Sequence, residues 1–352
     1  MSESLPLETQ TLYAELVERL TALEAHRSIG HVSGCFTTKE VKGETYYYFQ
    51  YSNPAEGQKQ IYIGKASPAL KKVVQRFSEE RGKWEEDLQG IQTLCAQLRA
   101  GKCHVTDHPS ARVVKALAES GVFRLGGVLV GTHAFGVLGN LLGVRWRRGG
   151  VKTQDVDIAC EPILRIAVPI LKVDVPEVLE GLEMGFLPIP QLSAKHPSTS
   201  FKVRGQSLRL DILTPEITPN RSKPVVIERF HVAAQPLRFL EYLIEDYEQG
   251  AVVNGGGILV NVPTPARFAF HKLLVSQERG VSFQTKAEKD ILQALQVFSF
   301  LAEIRPGDLK LAWLALRRRG PGWVRKIEKS LAVIKKHHPE EHVLISKVIN
   351  CS

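Results

Sequence analysis

The sequence predicts an α+β protein in three parts: an N-terminal helix and antiparallel hairpin unit (1–107), a mixed-sheet core (108–284) and a basic, helical C-terminal region (285–352). Three observations predict it. Leu12, Leu16, Leu20 and Leu23 recur at steps that share one helix face. A β-branched and aromatic run follows at 45–51, and strand, glycine turn and helix patterns alternate from Phe123 onward. At roughly 150 residues per domain, 352 residues make about two or three domains.

The elements follow in order. Residues 8–26 form the first helix. Thr45–Tyr51 and Gln60–Gly64 are strands flanking the turn residues Ser52–Gly57, so residues 32–64 make a small antiparallel sheet. Its aromatic row, beside Lys59 and Lys65, suits packing on helices, and it also suits stacking on bases. Residues 67–100 are helical, with Ser67 as N-cap and Pro68 in the first position. The N-terminal unit ends near Asp107-His108-Pro109.

Val128–Val130 is a short buried strand broken by Gly131. Thr132 is the expected cap of a helix that turns Phe135, Leu138 and Leu142 inward. Arg145–Lys152 is a loop with four positive charges and no acid, and Asp155–Ala159 is a strand. Ser200–Arg204 and Ser207–Leu213 flank a Gly205-Gln206 hairpin turn. Thr264-Pro265 opens a helix that Gly280 closes, and Thr285–Glu288 is a capping box for the next. From 305 to the end, 11 lysines and arginines stand against 4 acidic residues.

Composition narrows the function. Hydrophobic residues make up 43% and charged residues 24%, which fits a globular protein and not a disordered one. The formal charge of +9 favours anionic partners: nucleotides, nucleic acid or acidic surfaces. No run approaches the ~18–20 apolar residues of a membrane helix. The polar, acidic first ten residues read as neither a secretory signal nor a transit peptide. The expectation is therefore a cytoplasmic protein without a membrane role. Five scattered cysteines with no CxxC pair read as reduced thiols. Cys103-His104 with His108 lacks a second ligand pair at zinc-finger spacing.

The chemistry concentrates in Gly131-Thr132, Asp155-Val156-Asp157 and Asp211. Alternate strand residues share a face, so Asp155 and Asp157 stand about 7 Å apart on one side. With Asp211 from another strand they would form a hard-oxygen site suited to Mg²⁺ and phosphates. A Gly-Thr turn at a helix N-terminus offers backbone N–H groups to a triphosphate. These parts describe metal-assisted nucleotidyl transfer. Each has a plainer reading. Asp155 and Asp157 also fit an acidic strand end, and Arg209 with Asp211 a solvated face. Lys272 shares a helical face with Phe268 and Val275, where a lysine can snorkel. His133, just past the turn, reads as packing at a helix start. Arg145, Arg147 and Arg148 read as a solvated loop, or as a grip on triphosphate or RNA.

The order of Val130-Gly131-Thr132, Asp155-Val156-Asp157-Ile158 and Leu210-Asp211-Ile212 resembles the DNA polymerase β-type nucleotidyltransferase superfamily. The strings LGGVLVGTHAF (125–135), TQDVDIA (153–159), RLDILTP (209–215) and NVPTPARFAFHKL (261–273) further resemble an uncharacterised bacterial nucleotidyltransferase-like family. The sequence is similar at longer range to AbiEii-type toxin nucleotidyltransferases. One departure is the 24-residue step from Gly131 to Asp155, about twice the usual, which holds the Arg145–Lys152 loop.

The resemblance implies a polymerase β-like core that moves NMP from an NTP to an acceptor hydroxyl. Two Mg²⁺ ions would be bound by the catalytic Asp155, Asp157 and Asp211. It implies nucleotide binding by Gly131, Thr132, Lys272, Lys286 and Lys289, to which the charge of the basic loop adds Arg148. The basic charge favours RNA, tRNA first, as acceptor. The alternatives are transfer to a small molecule or a protein hydroxyl, and a non-catalytic, toxin-like nucleotide- or RNA-binding module. A cognate antitoxin or regulatory protein is a further implied partner.

Overall fold

The structure, a computed structural model, describes residues 3–27, 32, 34–53, 57–147, 153–162, 172–190, 197–216, 223–279 and 284–350. The chain opens with β1 (Glu3–Ser4), α1 (Leu7–Ala25), the strands β2 (Cys35–Val41), β3 (Glu44–Asn53) and β4 (Gly57–Lys65), and α2 (Pro68–Ala100). The strands form one antiparallel sheet in the order β2-β3-β4. Ser67 caps α2 as its hydroxyl accepts from the Leu70 N–H at 3.1 Å, with Pro68 at the first position. Thr9, Tyr13 and Leu16 form the buried face of α1.

Next come α3 (His108–Ser120), β5 (Val128–Val130), α4 (Gly131–Leu141), β6 (Val144–Arg145), β7 (Asp155–Ala159), α5 (Val175–Glu180), β8 (Phe186–Pro188), β9 (Ser200–Val203), β10 (Arg209–Pro215), β11 (Val225–Ile227) and β12 (Val232–Leu237). Asp107 caps α3 by accepting from the Ser110 N–H, and Gly121 ends that helix at φ +100°. The central sheet runs β11-β12-β10-β7-β5, and β9 and β8 extend it from the other half of β10's edge. It is a mixed sheet: β10 runs parallel to β7 and β12, while β5 and β9 are antiparallel to their partners. The β9–β10 hairpin turns at Gly205, at φ +74°, as the sequence indicates.

The chain finishes with α6 (Leu240–Ile244), the hairpin β13 (Tyr247–Val252) and β14 (Ile258–Pro263), and the helices α7 (Pro265–Ser276), α8 (Gln284–Ile304), α9 (Pro306–Arg317), α10 (Pro321–His337) and α11 (Pro339–Asn350). One apolar core runs from Ala111 in α3 to Ile345 in α11. A smaller one joins α1 and the C-terminal half of α2 to β13 through Leu16, Ile91, Leu98 and Ala251. The Tyr13 hydroxyl locks that contact, donating to the Ala251 carbonyl and accepting from its N–H. No helix among the described residues is long and apolar enough to cross a membrane.

Several local expectations need correction. Thr132 does not cap α4. Val130 holds the cap position without a side-chain bond, and Gly131, at φ +69°, makes the turn, leaving Thr132 buried in the first turn. α7 stops at Ser276, short of Gly280, because the N–H groups of Gln277 and Glu278 close the last turn on Leu274 and Val275. Thr285 lies inside α8, which starts at Gln284, so it is not the cap. The basic loop is only partly a loop. Arg145 pairs with Glu3 in a two-stranded ribbon. Trp146 is buried, stacked on Phe135 at 4.8 Å and donating to its carbonyl at 2.6 Å. Gly139 admits that ring, since a Cβ there would lie 2.6 Å from the indole nitrogen. The centre of the Ser52–Gly57 turn, Gly280 and the whole Arg148–Lys152 stretch fall outside the described residues.

Candidate active site

β7 and β10 alternate between one apolar face and one polar face. Val156, Ile158, Leu210 and Ile212 are buried, while Asp155, Asp157, Arg209 and Asp211 are half-buried. The parallel register sets Asp157 beside Asp211 and Asp155 beside Arg209. Directly paired strand residues share a face at roughly 5 Å, so three carboxylates lie on one side of two adjacent strands.

Gly131 completes this arrangement from β5. Val130 pairs with Asp157, and the chain then turns into α4 so tightly that a Cβ on Gly131 would lie 2.2 Å from Asp157 Oδ2. Glycine is required here for space and for its positive φ. The Asp157 carboxyl is pushed up to about 7, first by burial and then by the negative charges of Asp211 and Asp155, with Lys272 and Arg209 opposing.

Asp211 is held by its own sheet. Arg209 Nε donates to Oδ1 at 2.7 Å, the Ser200 hydroxyl donates to the same oxygen, and Arg209 reaches that hydroxyl at 3.0 Å. The Arg–Asp face is thus present, but it adjoins Asp157. As the side chains stand, no three His, Cys, Asp or Glu among the described residues sit close enough to share an ion.

α7 and α8 bring a wall of positive charge. Lys272 is buried, lies 5.3 Å from the Phe268 ring and bonds Asp290 Oδ1 at 2.7 Å. Asp290 Oδ2 accepts two bonds from Arg279, at 3.1 and 3.0 Å. Burial would raise the Asp290 carboxyl, but Lys272 and Arg279 hold it below its ordinary value. Lys289 is half-buried within the field of Asp155; burial, then Lys272, lowers its ammonium. Lys286 is exposed one helical turn earlier. His133 is buried near Asp155 and Lys289. Burial lowers its pKa, and its Nε2 has no hydrogen-bond partner among the described residues.

The structure therefore gathers Gly131, Asp155, Asp157, Asp211, Lys272 and Lys289, with Thr132 and Lys286 on adjoining turns. Arg148 lies outside the described residues. Sequence reasoning missed Asp290 and Arg279. A signal for Asp290 existed: it shares the buried face of α8 with Ala294, Val297 and Leu301, and a carboxylate in an apolar stripe needs a cationic partner.

A family model described as Nucleotidyltransferase matches residues 108–317, more than half of the chain and a span that holds every one of these residues. No curated protein matches the chain. A solved structure of an antigenic nucleotidyltransferase-like protein from Paracoccidioides brasiliensis is 15% identical, over 64% of this chain and 94% of that one. Its TM-score of 0.34 is too low to carry weight. With the match extending from α3 through α9, the chain belongs to this nucleotidyltransferase family and is a nucleotidyltransferase.

Proposed function

We propose that the chain transfers NMP from an NTP to an acceptor hydroxyl with the help of two Mg²⁺ ions, and that the acceptor is RNA, tRNA being the leading candidate. The observation that carries this reading is the carboxylate face of β7 and β10 set against the Gly131 turn and faced by Lys272 and Lys289.

The residues fit a divalent cation. Three hard oxygen donors share one face, and Asp157 is raised partly by repulsion from its two neighbours, a strain that a cation would relieve. His133 Nε2 is an unpartnered buried polar atom beside them. Asp155, Asp157 and Asp211 would hold the metal, which supplies charge neutralisation for the triphosphate. The turn at the start of α4 presents backbone N–H groups and the positive end of the helix dipole to phosphate oxygens. Lys272, fixed by Asp290, and Lys289 add charge from the opposite wall. The acceptor oxygen bonds to the α-phosphorus as the bond to the bridging oxygen breaks, and pyrophosphate leaves. Asp211 would help to take the hydroxyl proton. RNA as acceptor is supported by the formal charge of +9 and by the basic tail.

The test incubates the protein with Mg²⁺ and each α-labelled NTP in turn, with total RNA and, separately, protein extract. The Asp155→Ala/Asp157→Ala double variant runs alongside. Label entering RNA with the native protein alone is expected. Label entering protein instead overturns the acceptor, and equal transfer by the double variant overturns the site.

A further inference from the structure

The N-terminal sheet has two faces, and the core uses only one. Phe36 and Phe49 turn toward α2 and meet Phe77 edge-on at 5.2 and 5.8 Å. These ring contacts tie the sheet to α2. Alternation along β3 sends Tyr46, Tyr48 and Gln50 to the opposite face. The register adds Tyr62 and Gln60 from β4 and Lys39 from β2 to that face. The three tyrosine rings form a continuous row, with Tyr62 lying 6.3 Å from Tyr46 and 5.6 Å from Tyr48. Tyr62 is 56% exposed. Lys39 lies 4.6 Å over the Tyr48 ring and fixes a positive charge on the row. Lys59, which the sequence places beside the aromatics, pairs with Tyr51 and points to the other face.

We propose that this outer face binds single-stranded RNA, with bases stacking on Tyr46, Tyr48 and Tyr62. Three features support that occupant over a protein. Stacked, tyrosine-lined sheet faces accept any base through its π-face. The local charge suits a polyanion: from Cys35 to Lys72, six lysines stand against three glutamates. The polar groups between the rings suit ribose. Gln60 donates to Gln50 at 3.0 Å, and these amides offer donors and acceptors for a 2′-hydroxyl, which DNA lacks. The face lies at the N-terminal end of α2, and the other end of that 33-residue helix packs on the core at Ile91, Leu94 and Leu98. It is thus a second contact for RNA, separate from the carboxylate face, and it deepens the proposed RNA acceptor without depending on turnover.

The experiment measures anisotropy of a labelled 12-nucleotide single-stranded RNA with the full chain, without NTP or metal. Tyr62→Ala and Tyr48→Ala are each expected to weaken binding about five- to a hundredfold, while Tyr62→Phe keeps wild-type affinity because the ring is retained. Because Tyr62 is exposed, its variants are expected to keep the fold; circular dichroism checks this, and the Tyr62→Phe arm isolates the ring from the fold. Asp155→Asn/Asp157→Asn is expected to bind the oligonucleotide as wild type does, so loss of transfer and loss of this site are read separately. Unchanged affinity in both alanine variants overturns the proposal and moves the RNA, or a protein partner, elsewhere. Equal competition by duplex RNA shows charge without stacking, and equal affinity for DNA of the same sequence removes the ribose assignment; either result overturns it.

Discussion

At the scale of single residues, the site depends on two close fits. Gly131→Ala places a methyl 2.2 Å from Asp157 Oδ2 in a backbone conformation at φ +69°. The conformation alone costs roughly 1–2 kcal/mol, and the clash displaces the carboxylate from its strand position. The expected outcome is a folded but less stable protein whose transfer rate falls at least about a hundredfold, a misplacement effect. Normal turnover with a lowered denaturation midpoint would show that the turn serves stability alone. The second fit is Lys272–Asp290–Arg279. Asp290→Ala strands a buried lysine, and breaking a buried pair in this way costs about 3–5 kcal/mol. Lys272→Met leaves Asp290 bonded to Arg279 and fills the same volume, so its stability cost is expected to be smaller. Its NTP affinity should nevertheless fall if the ammonium meets phosphate. Urea midpoints and nucleotide titrations of both variants separate the two roles, and equal stability losses would contradict the assignment.

Elements show what the sequence carried and what it withheld. The β7 strand was legible to the residue, and so was the Ser67-Pro68 start of α2, because strand alternation and capping are local. That Asp155 and Asp157 share one face of β7 was legible for the same reason, whereas the register that sets Asp211 beside Asp157 was not. The Asp290 network was not legible either, since it joins α7 to α8 and depends on tertiary packing. The Trp146 contact was hidden too: in sequence the tryptophan sits among arginines, and only the open space at Gly139 lets α4 receive it. Asn140 is a third long-range device. Its amide accepts from the His104 N–H at 2.7 Å and donates to the His104 carbonyl at 2.9 Å, tying α4 to the segment before α3. Asn140→Ala leaves both backbone groups unpaired beside a 2%-exposed position. At ~1–3 kcal/mol for each of the two unsatisfied groups, a loss of about 2–6 kcal/mol is expected. A stability loss, from urea unfolding, of less than a quarter of that would mean that water replaces the amide.

For the whole molecule, the buried histidines set the response to acid. His104 is pushed down to about 4 by burial and then by His133, with Asp107 opposing. His271 is pushed to about 3 by burial and then by Lys272, and His133 is lowered by burial. All three flank the α4 turn or adjoin Lys272, so the site's electrostatics and the fold's acid sensitivity share the same side chains. In the unfolded chain each imidazole takes up a proton near pH 6.5. In the folded chain His104 does so only near 4. Between those values the unfolded state binds more protons, so stability falls as the pH is lowered. The contribution is fully present above about 6.5 and is exhausted below the folded value, at up to ~1.4 kcal/mol per unit for each histidine. Asp290, held low by Lys272 and Arg279, adds a loss of the same sign at lower pH. Asp157, pushed up to about 7, binds its proton in the folded state over the same window as the histidines and opposes this loss. Three lowered histidines against one raised carboxyl still give a falling midpoint for urea unfolding at pH 7, 6, 5 and 4.5. His104→Gln and His271→Gln should each flatten the curve between pH 6.5 and 4.5, while lowering stability at pH 7 through imperfect packing. A double variant, His104→Gln/His271→Gln, whose midpoint falls from pH 7 to 4.5 as steeply as that of the wild type would mean that these rings are open to water and do not set the acid response.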